Sequence, residues 1–117
     1  MDQKSKERLK GVDERLVQVA ELAFSKSPYQ LTITEGVRTI ERQKQLFAEK
    51  KTKTMNSKHI TGKALDFAVY VDGKIVWDMK YYKQVAEVFK QAAKELNVPI
   101  TCGADWGWDG PHIELKG

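Results

Sequence analysis

Only two histidines occur in this chain, His59 and His112, and each sits in a dense polar motif. The first reads Ser57-Lys58-His59-Ile60-Thr61-Gly62-Lys63-Ala64-Leu65-Asp66, the second Asp109-Gly110-Pro111-His112-Ile113-Glu114. Two imidazoles and one carboxylate are three ligands for a divalent ion, and a fourth position left to water is the plan of a catalytic zinc site. Such an ion lowers the pKa of its water to about 7 and polarises a peptide carbonyl. A carboxylate must still take the water's proton. Asp109, on a Gly-Pro turn just before His112, is the first candidate for that base. Glu114 is the second, and is better suited to orient a ligand or bind substrate. Most lone histidines are satisfied polar residues, so pattern alone leaves the metal and structural readings side by side. The His-Glu-x-x-His helix that carries the ligands in one class of zinc peptidase is absent.

The elements that must position these groups follow from periodicity. Residues 64–71 alternate as a strand with Leu65, Phe67, Val69 and Val71 on one face and Asp66 on the other, between Ala64 and Ala68. A carboxylate flanked by alanines implies a roomy polar face. In a last strand over 111–115, Ile113 and Leu115 share one face while His112 and Glu114 share the opposite one. Both strands can then bury their aliphatic sides and turn Asp66 and His112 toward one cleft. His59 lies at an odd offset from Asp66, so a straight strand would set them on opposite faces. Thr61-Gly62 must therefore bend the chain, which glycine permits because it lacks a Cβ.

Elsewhere, Leu9, Val12, Leu16, Val19, Ala20 and Ala23 predict a helix over 5–24. Residues 31–34 read as a strand, 40–50 as a helix and 51–58 as a polar loop. Asp72-Gly73 signals a hairpin into a strand at 74–77. A helix over 80–96 and a short strand over 100–102 complete the order. The expected class is α+β, an antiparallel sheet with helices packed on one side.

A length of 117 residues fits a single domain, 1–117, with no room for a second folded module. A formal charge of +4 suits an anionic partner without selecting one. Lys50, Lys51, Lys53 and Lys58 could meet phosphates, but no nucleic-acid motif accompanies them, so a solvated loop is expected and no nucleic-acid partner. The lone Cys102 excludes an internal disulfide and reads as a small core hydrophobe. No apolar run approaches the roughly 20 residues of a membrane span, so no stable membrane insertion is expected. The polar residues 1–8 lack the apolar segment of a signal peptide, which predicts a cytoplasmic protein.

Ser57-x-His59-x-x-Gly62-x-Ala64-x-Asp66, followed by Asp109-x-x-His112-x-Glu114, resembles the zinc D-alanyl-D-alanine carboxypeptidase and L-alanyl-D-glutamate endopeptidase family, above all its phage endolysins. The likeness runs through nearly the whole chain, including Ser27-Pro28-Tyr29, Gly36-Val37-Arg38-Thr39, Gly73-Lys74-Ile75 and Gly103-Ala104-Asp105-Trp106. It implies the hedgehog/D-alanyl-peptidase fold, Zn2+ on His59, Asp66 and His112, and Asp109 as base. Arg38 matches the family arginine that contacts substrate or its developing oxyanion; a surface salt bridge is its alternative. Ser57 matches a position beside the metal, binding substrate or holding the loop. One departure stands out. Only Gly107-Trp108 separates Asp105-Trp106 from Asp109, where the phage endolysin this chain most resembles is longer, so contacts housed there do not carry over. Trp106 and Trp108 then line the cleft as substrate contacts or pack under the sheet.

The activity implied is hydrolysis of the L-alanyl-D-glutamate bond in peptidoglycan stem peptides. The enzyme would be a monomeric endolysin of one peptidase domain without a cell-wall-binding domain. It would stay in the host bacterial cytoplasm until a separate membrane-permeabilising protein releases it. The alternatives are a D-alanyl-D-alanine carboxypeptidase, with Arg38 clamping the terminal carboxylate, and a non-catalytic zinc-binding module, against which the presence of Asp109 argues.

Overall fold

A computed structural model describes residues 1–38, 40–50 and 58–116. In chain order they form α1 (Gln3–Arg8), α2 (Glu14–Lys26), β1 (Gln30–Glu35), α3 (Ile40–Ala48), β2 (Ala64–Val71), β3 (Lys74–Val76), α4 (Met79–Leu96), β4 (Ile100–Cys102), a 3-10 turn (Gly103–Trp106) and β5 (His112–Leu115). The alternation of β2 decides the layering. Leu65, Phe67 and Val69 are fully buried, together with Ile33 of β1 and Ile113 of β5. Against them pack Leu16, Val19 and Ala23 of α2 and Val85, Phe89 and Ala92 of α4, in one continuous cluster. The fold is α+β, with α2 and α4 covering the aliphatic face of an antiparallel sheet.

Strand β2 is the spine. It pairs β1 along one edge, and β5 and then β3 along the other, with β4 outside β5. The β2–β3 connection is the expected hairpin, with Asp72 and Gly73 both at positive φ, 53° and 77°, as a two-residue turn of the favoured hand requires. Helix α4 ends where Asn97 turns left-handed.

The helix expected over residues 5–24 is in fact two. Gly11 adopts a φ of 84°, and Asp13 restarts the chain as α2 by accepting the Arg15 backbone N–H at 2.9 Å. Leu9 and Val12 stay in the core across the break, which is why the apolar period runs through it. The freed α1 lies along the outer edge of β1. Ser5 Oγ accepts the Ile33 N–H at 2.8 Å, and Arg8 Nη1 donates to the Ile33 carbonyl at 2.8 Å. The exposed hydrogen-bonding groups of an edge strand are a template for unwanted pairing, and α1 occupies them here. The 3-10 turn was not anticipated; a single short turn carries too little periodicity to be read. Of the expected loop over 51–58, all but Lys58 lies outside the described residues.

Ser5 is fully buried and also hydrogen-bonds Thr32 Oγ1 at 3.1 Å. Ser5→Ala leaves the Ile33 N–H without its acceptor and is expected to destabilise the fold by about 1–3 kcal/mol, measured by urea unfolding. An unchanged midpoint would refute the edge-capping role of α1.

Candidate metal centre

The register of β2 and β5 places Asp66 directly opposite His112 and Ala64 opposite Glu114. These side chains leave the sheet on the face away from the core. His59 arrives from the turn before β2, where Gly62 has a φ of 73° and its missing Cβ would fall 2.5 Å from the Gly11 carbonyl oxygen. The bend expected at Gly62 is present, locked by hydrogen bonds from Asp13 N to Gly62 O at 2.8 Å and from Arg38 N to His59 O at 2.9 Å. As a result His59 Nε2 lies 3.3 Å and His112 Nδ1 3.1 Å from the same oxygen, Asp66 Oδ1. The three ligand atoms fall within 4.8 Å of one another.

The far nitrogens determine what these near ones can be. His59 Nδ1 donates to the Gly36 carbonyl at 2.9 Å, and a carbonyl only accepts. His112 Nε2 donates to Glu114 Oε1 at 2.8 Å. Glu114 Oε2 in turn receives Lys58 Nζ at 2.8 Å, and Lys58 also donates to the Leu115 carbonyl at 2.7 Å. In neutral imidazoles so tautomerised, both near nitrogens present lone pairs to a carboxylate oxygen. Three electron-rich atoms converge, which a cation resolves. The nitrogen and oxygen donor set suits a divalent transition metal, and ligand histidines anchored through their other nitrogen are the usual outer arrangement of such sites. The group therefore fits a metal ion by its own geometry.

Electrostatics follow the same layout. With no metal bound, burial acts to raise Asp66, but its contacts with the His112 and His59 rings outweigh it and hold the carboxyl at about 2. Burial acts to lower His112, yet hydrogen bonds and charge from Asp66, with help from Glu114, leave it above its ordinary value. Glu114 is pulled below the usual range against its burial by Lys58 and His112. Asp109 moves the other way. Burial and then the Asp66 charge push it up, against weaker pulls from His112, His59 and Arg38. Among the described residues no side chain hydrogen-bonds its carboxylate, so its lone pairs are available to a proton. Cys102 is fully buried, and burial pushes its thiol up to about 12, which leaves it inert.

Arg38 is no surface salt bridge. Its side chain is 10% exposed, paired with Glu35 and donating to Gln43 Oε1 at 2.8 Å. A register shift in β1 between Ile33 and Glu35 sets Glu35 opposite Asp66, and this carries the pair to the centre. Trp106 and Trp108 do not pack under the sheet; they are 40% and 74% exposed. Trp106 lies 5.4 Å from the His112 ring, and Trp108 stacks on Trp106 at 5.5 Å. Ser57 lies outside the described residues. Sequence reasoning missed Lys58, Glu35 and Gln43. Gln43 left a trace, since it shares the buried side of α3 with Leu46; Lys58 looked like one more solvated lysine.

Residues 1–116 match the family model described as phage L-alanyl-D-glutamate peptidase. The chain is 41% identical over 117 residues to the L-alanyl-D-glutamate peptidase of Escherichia phage T5, covering 96% of this chain and 85% of that protein. It is 33% identical over 110 residues to the peptidoglycan L-alanyl-D-glutamate endopeptidase CwlK of Bacillus subtilis, covering 73% of this chain and 60% of CwlK. The crystal structure of the Serratia marcescens L-Ala D-Glu endopeptidase ChiX superposes with a TM-score of 0.93 at 33% identity, covering 99% of this chain and 89% of that one. The D,D-dipeptidase VanXYg matches with a TM-score of 0.55 at 17% identity over 91% of this chain and 51% of its own, a likeness of fold alone.

The centre makes metal-free stability depend on pH. The raised His112 contributes fully below its ordinary value of 6.5 and is lost as pH rises through its elevated one. The lowered Asp66 contributes above 3.8 and is lost as pH falls toward about 2, a loss on the order of 2 kcal/mol. Both limbs report one interaction and do not add. Protein stripped by chelator should therefore have its highest Tm between these ordinary values, and added metal should remove the alkaline limb by replacing the proton. A flat Tm from pH 5 to 9 without metal would contradict this. Glu114→Ala should weaken metal binding by about 10–100-fold, measured by competition with a chromophoric chelator.

Proposed function

The chain belongs to the phage L-alanyl-D-glutamate peptidase family, and on that footing we propose that it is a zinc peptidase that cuts the L-alanyl-D-glutamate bond of peptidoglycan stem peptides. The observation that carries this reading is the aim of two histidine nitrogens at one Asp66 oxygen, with each remote nitrogen already committed to an acceptor. His59, Asp66 and His112 would hold the ion, and two nitrogens with one oxygen plus an open position favour zinc. Bound zinc supplies a Lewis acid and a water of lowered pKa.

The chain's own residues do the rest. Asp109, raised by burial, takes a proton from the attacking water and delivers it to the departing glutamyl nitrogen as the C–N bond breaks. Arg38, held by Glu35 and Gln43, donates to the oxygen that gains charge on the scissile carbonyl. Glu114 and Lys58 keep the His112 ring oriented.

The proposed setting is lysis of a bacterial host by one monomeric domain. No helix among the described residues is long and apolar enough to cross a membrane, so a separate permeabilising protein would give access to the wall. The charge of +4 would draw the enzyme to anionic wall surfaces.

Purified peptidoglycan incubated with the zinc-loaded protein should yield new alanyl C-termini and glutamyl N-termini by fragment mass spectrometry. Free D-alanine instead would assign a carboxypeptidase, and intact peptidoglycan would end the proposal. Asp109→Ala should retain its metal and lose about 10²–10⁴-fold in kcat/KM; a variant that keeps full activity would remove Asp109 from the mechanism.

A further inference from the structure

We propose that Trp106 and Trp108 form a subsite for the N-acetylmuramyl ring that a stem peptide carries on its alanine, so that the enzyme favours stems still attached to glycan. The inference rests on the peptidase reading above and extends it to the sugar.

The two indoles form a shelf that starts at a proposed metal ligand and leads outward. Trp106 tilts against His112 with centroids 5.4 Å apart, and Trp108 continues the stack 5.5 Å beyond, at 29° to Trp106. Gly107 makes the stack possible. Its φ of 82° reverses the chain so that the second indole returns onto the first, and a Cβ there would touch nothing, so the glycine serves the turn rather than packing. Trp108 stays 74% exposed. Two large apolar rings held in order at the surface, continuous with a catalytic centre, are a contact surface for a ligand.

The chemistry of the two flanks selects the occupant. Arg38 follows β1, and the tryptophans follow β4, so the sheet order β1-β2-β5-β4 sets them on opposite sides of the centre. One flank carries the Arg38 guanidinium, ion-paired with Glu35, and the other presents two exposed indole faces. The substrate is likewise unlike on its two sides. On the glutamyl side of the scissile bond it carries carboxylates. On the alanyl side it carries a neutral pyranose, joined to the alanine nitrogen through a lactyl amide. The C–H face of a pyranose packs on an indole face, whose π cloud is negative. Reach agrees as well. An alanyl residue spans about 3.5 Å and the lactyl arm a comparable length, which sets the sugar one to two ring steps from the centre.

The test compares two substrates on the zinc-loaded full chain: N-acetylmuramoyl-L-alanyl-D-glutamyl peptide, and the same peptide with a simple N-acetyl group on the alanine. The wild type should cleave both, with KM for the muramoyl substrate about three- to tenfold lower, and Trp108→Ala should erase that difference. Equal KM values in the wild type, or a difference that survives in Trp108→Ala, would overturn the subsite and leave the peptidase reading standing. Cleavage of neither substrate would overturn both. A second measurement does not depend on the variant folding or on turnover. N-Acetylmuramoyl-L-alanine added to the wild type should shift two of the three indole N–H resonances in a heteronuclear spectrum, the third belonging to Trp77. Shifts in none of them would also overturn the proposal.

Discussion

Two imidazole nitrogens and a carboxylate oxygen are directed at one point in this protein, and like-signed lone pairs repel. His59 Nε2 and His112 Nδ1 approach Asp66 Oδ1 to 3.3 and 3.1 Å, a contact that is favourable only with a proton or a metal ion among the three. Holding such groups ready requires a scaffold that cannot relax away from them. The protein meets that need by building the site on hydrogen-bonded strands. Asp66 and His112 are paired residues of neighbouring strands, so their separation is set by the sheet and not by side-chain choice. Only His59 comes from a turn, and its ring is tied through Nδ1 to the Gly36 carbonyl.

The same alternation serves both layers. Leu65 and Phe67, both fully buried, flank Asp66 in β2 and fix its position between them. Loss of packing under β2 would be felt at Asp66, the candidate metal ligand one residue away. Outside the ligands a second ring of contacts directs charge. Lys58 holds Glu114, which holds His112; Glu35 and Gln43 hold Arg38. Each of these pairs draws a long, mobile side chain into one geometry, which reduces the reorganisation left for the reaction step.

Asp66 and Asp109 are both aspartates near the same ion position, yet their environments push them in opposite directions. Contacts with His112 and His59 outweigh burial and keep Asp66 ionised, which suits a metal ligand. Asp109 has no such contact among the described residues and is raised by burial and by the Asp66 charge, which suits a group that must accept a proton and release it again. Position within one electrostatic field thus separates the two proposed roles.

Much of this was legible in the chain itself. The bounds of β2, the hairpin at Asp72-Gly73, the shared face of Asp66, His112 and Glu114, and the bend at Gly62 all follow from rules that act between near neighbours, the two-residue period of strands and the freedom of glycine. The residue types of the centre were legible too, because chemistry restricts what can bind a divalent ion. What the sequence left open depends on segments far apart in it. The break at Gly11 was hidden because Leu9 and Val12 keep the helical period while α1 turns to cover an edge that exists only once β1 is in the sheet. Lys58 could not be matched to Glu114, nor Arg38 to Gln43, nor Trp106 to His112, since ion pairs and ring contacts carry no periodic imprint. Which nitrogen of each histidine faces Asp66 was likewise decided by tertiary structure alone, because it depends on a carbonyl and a carboxylate that folding brings to the other side of the ring.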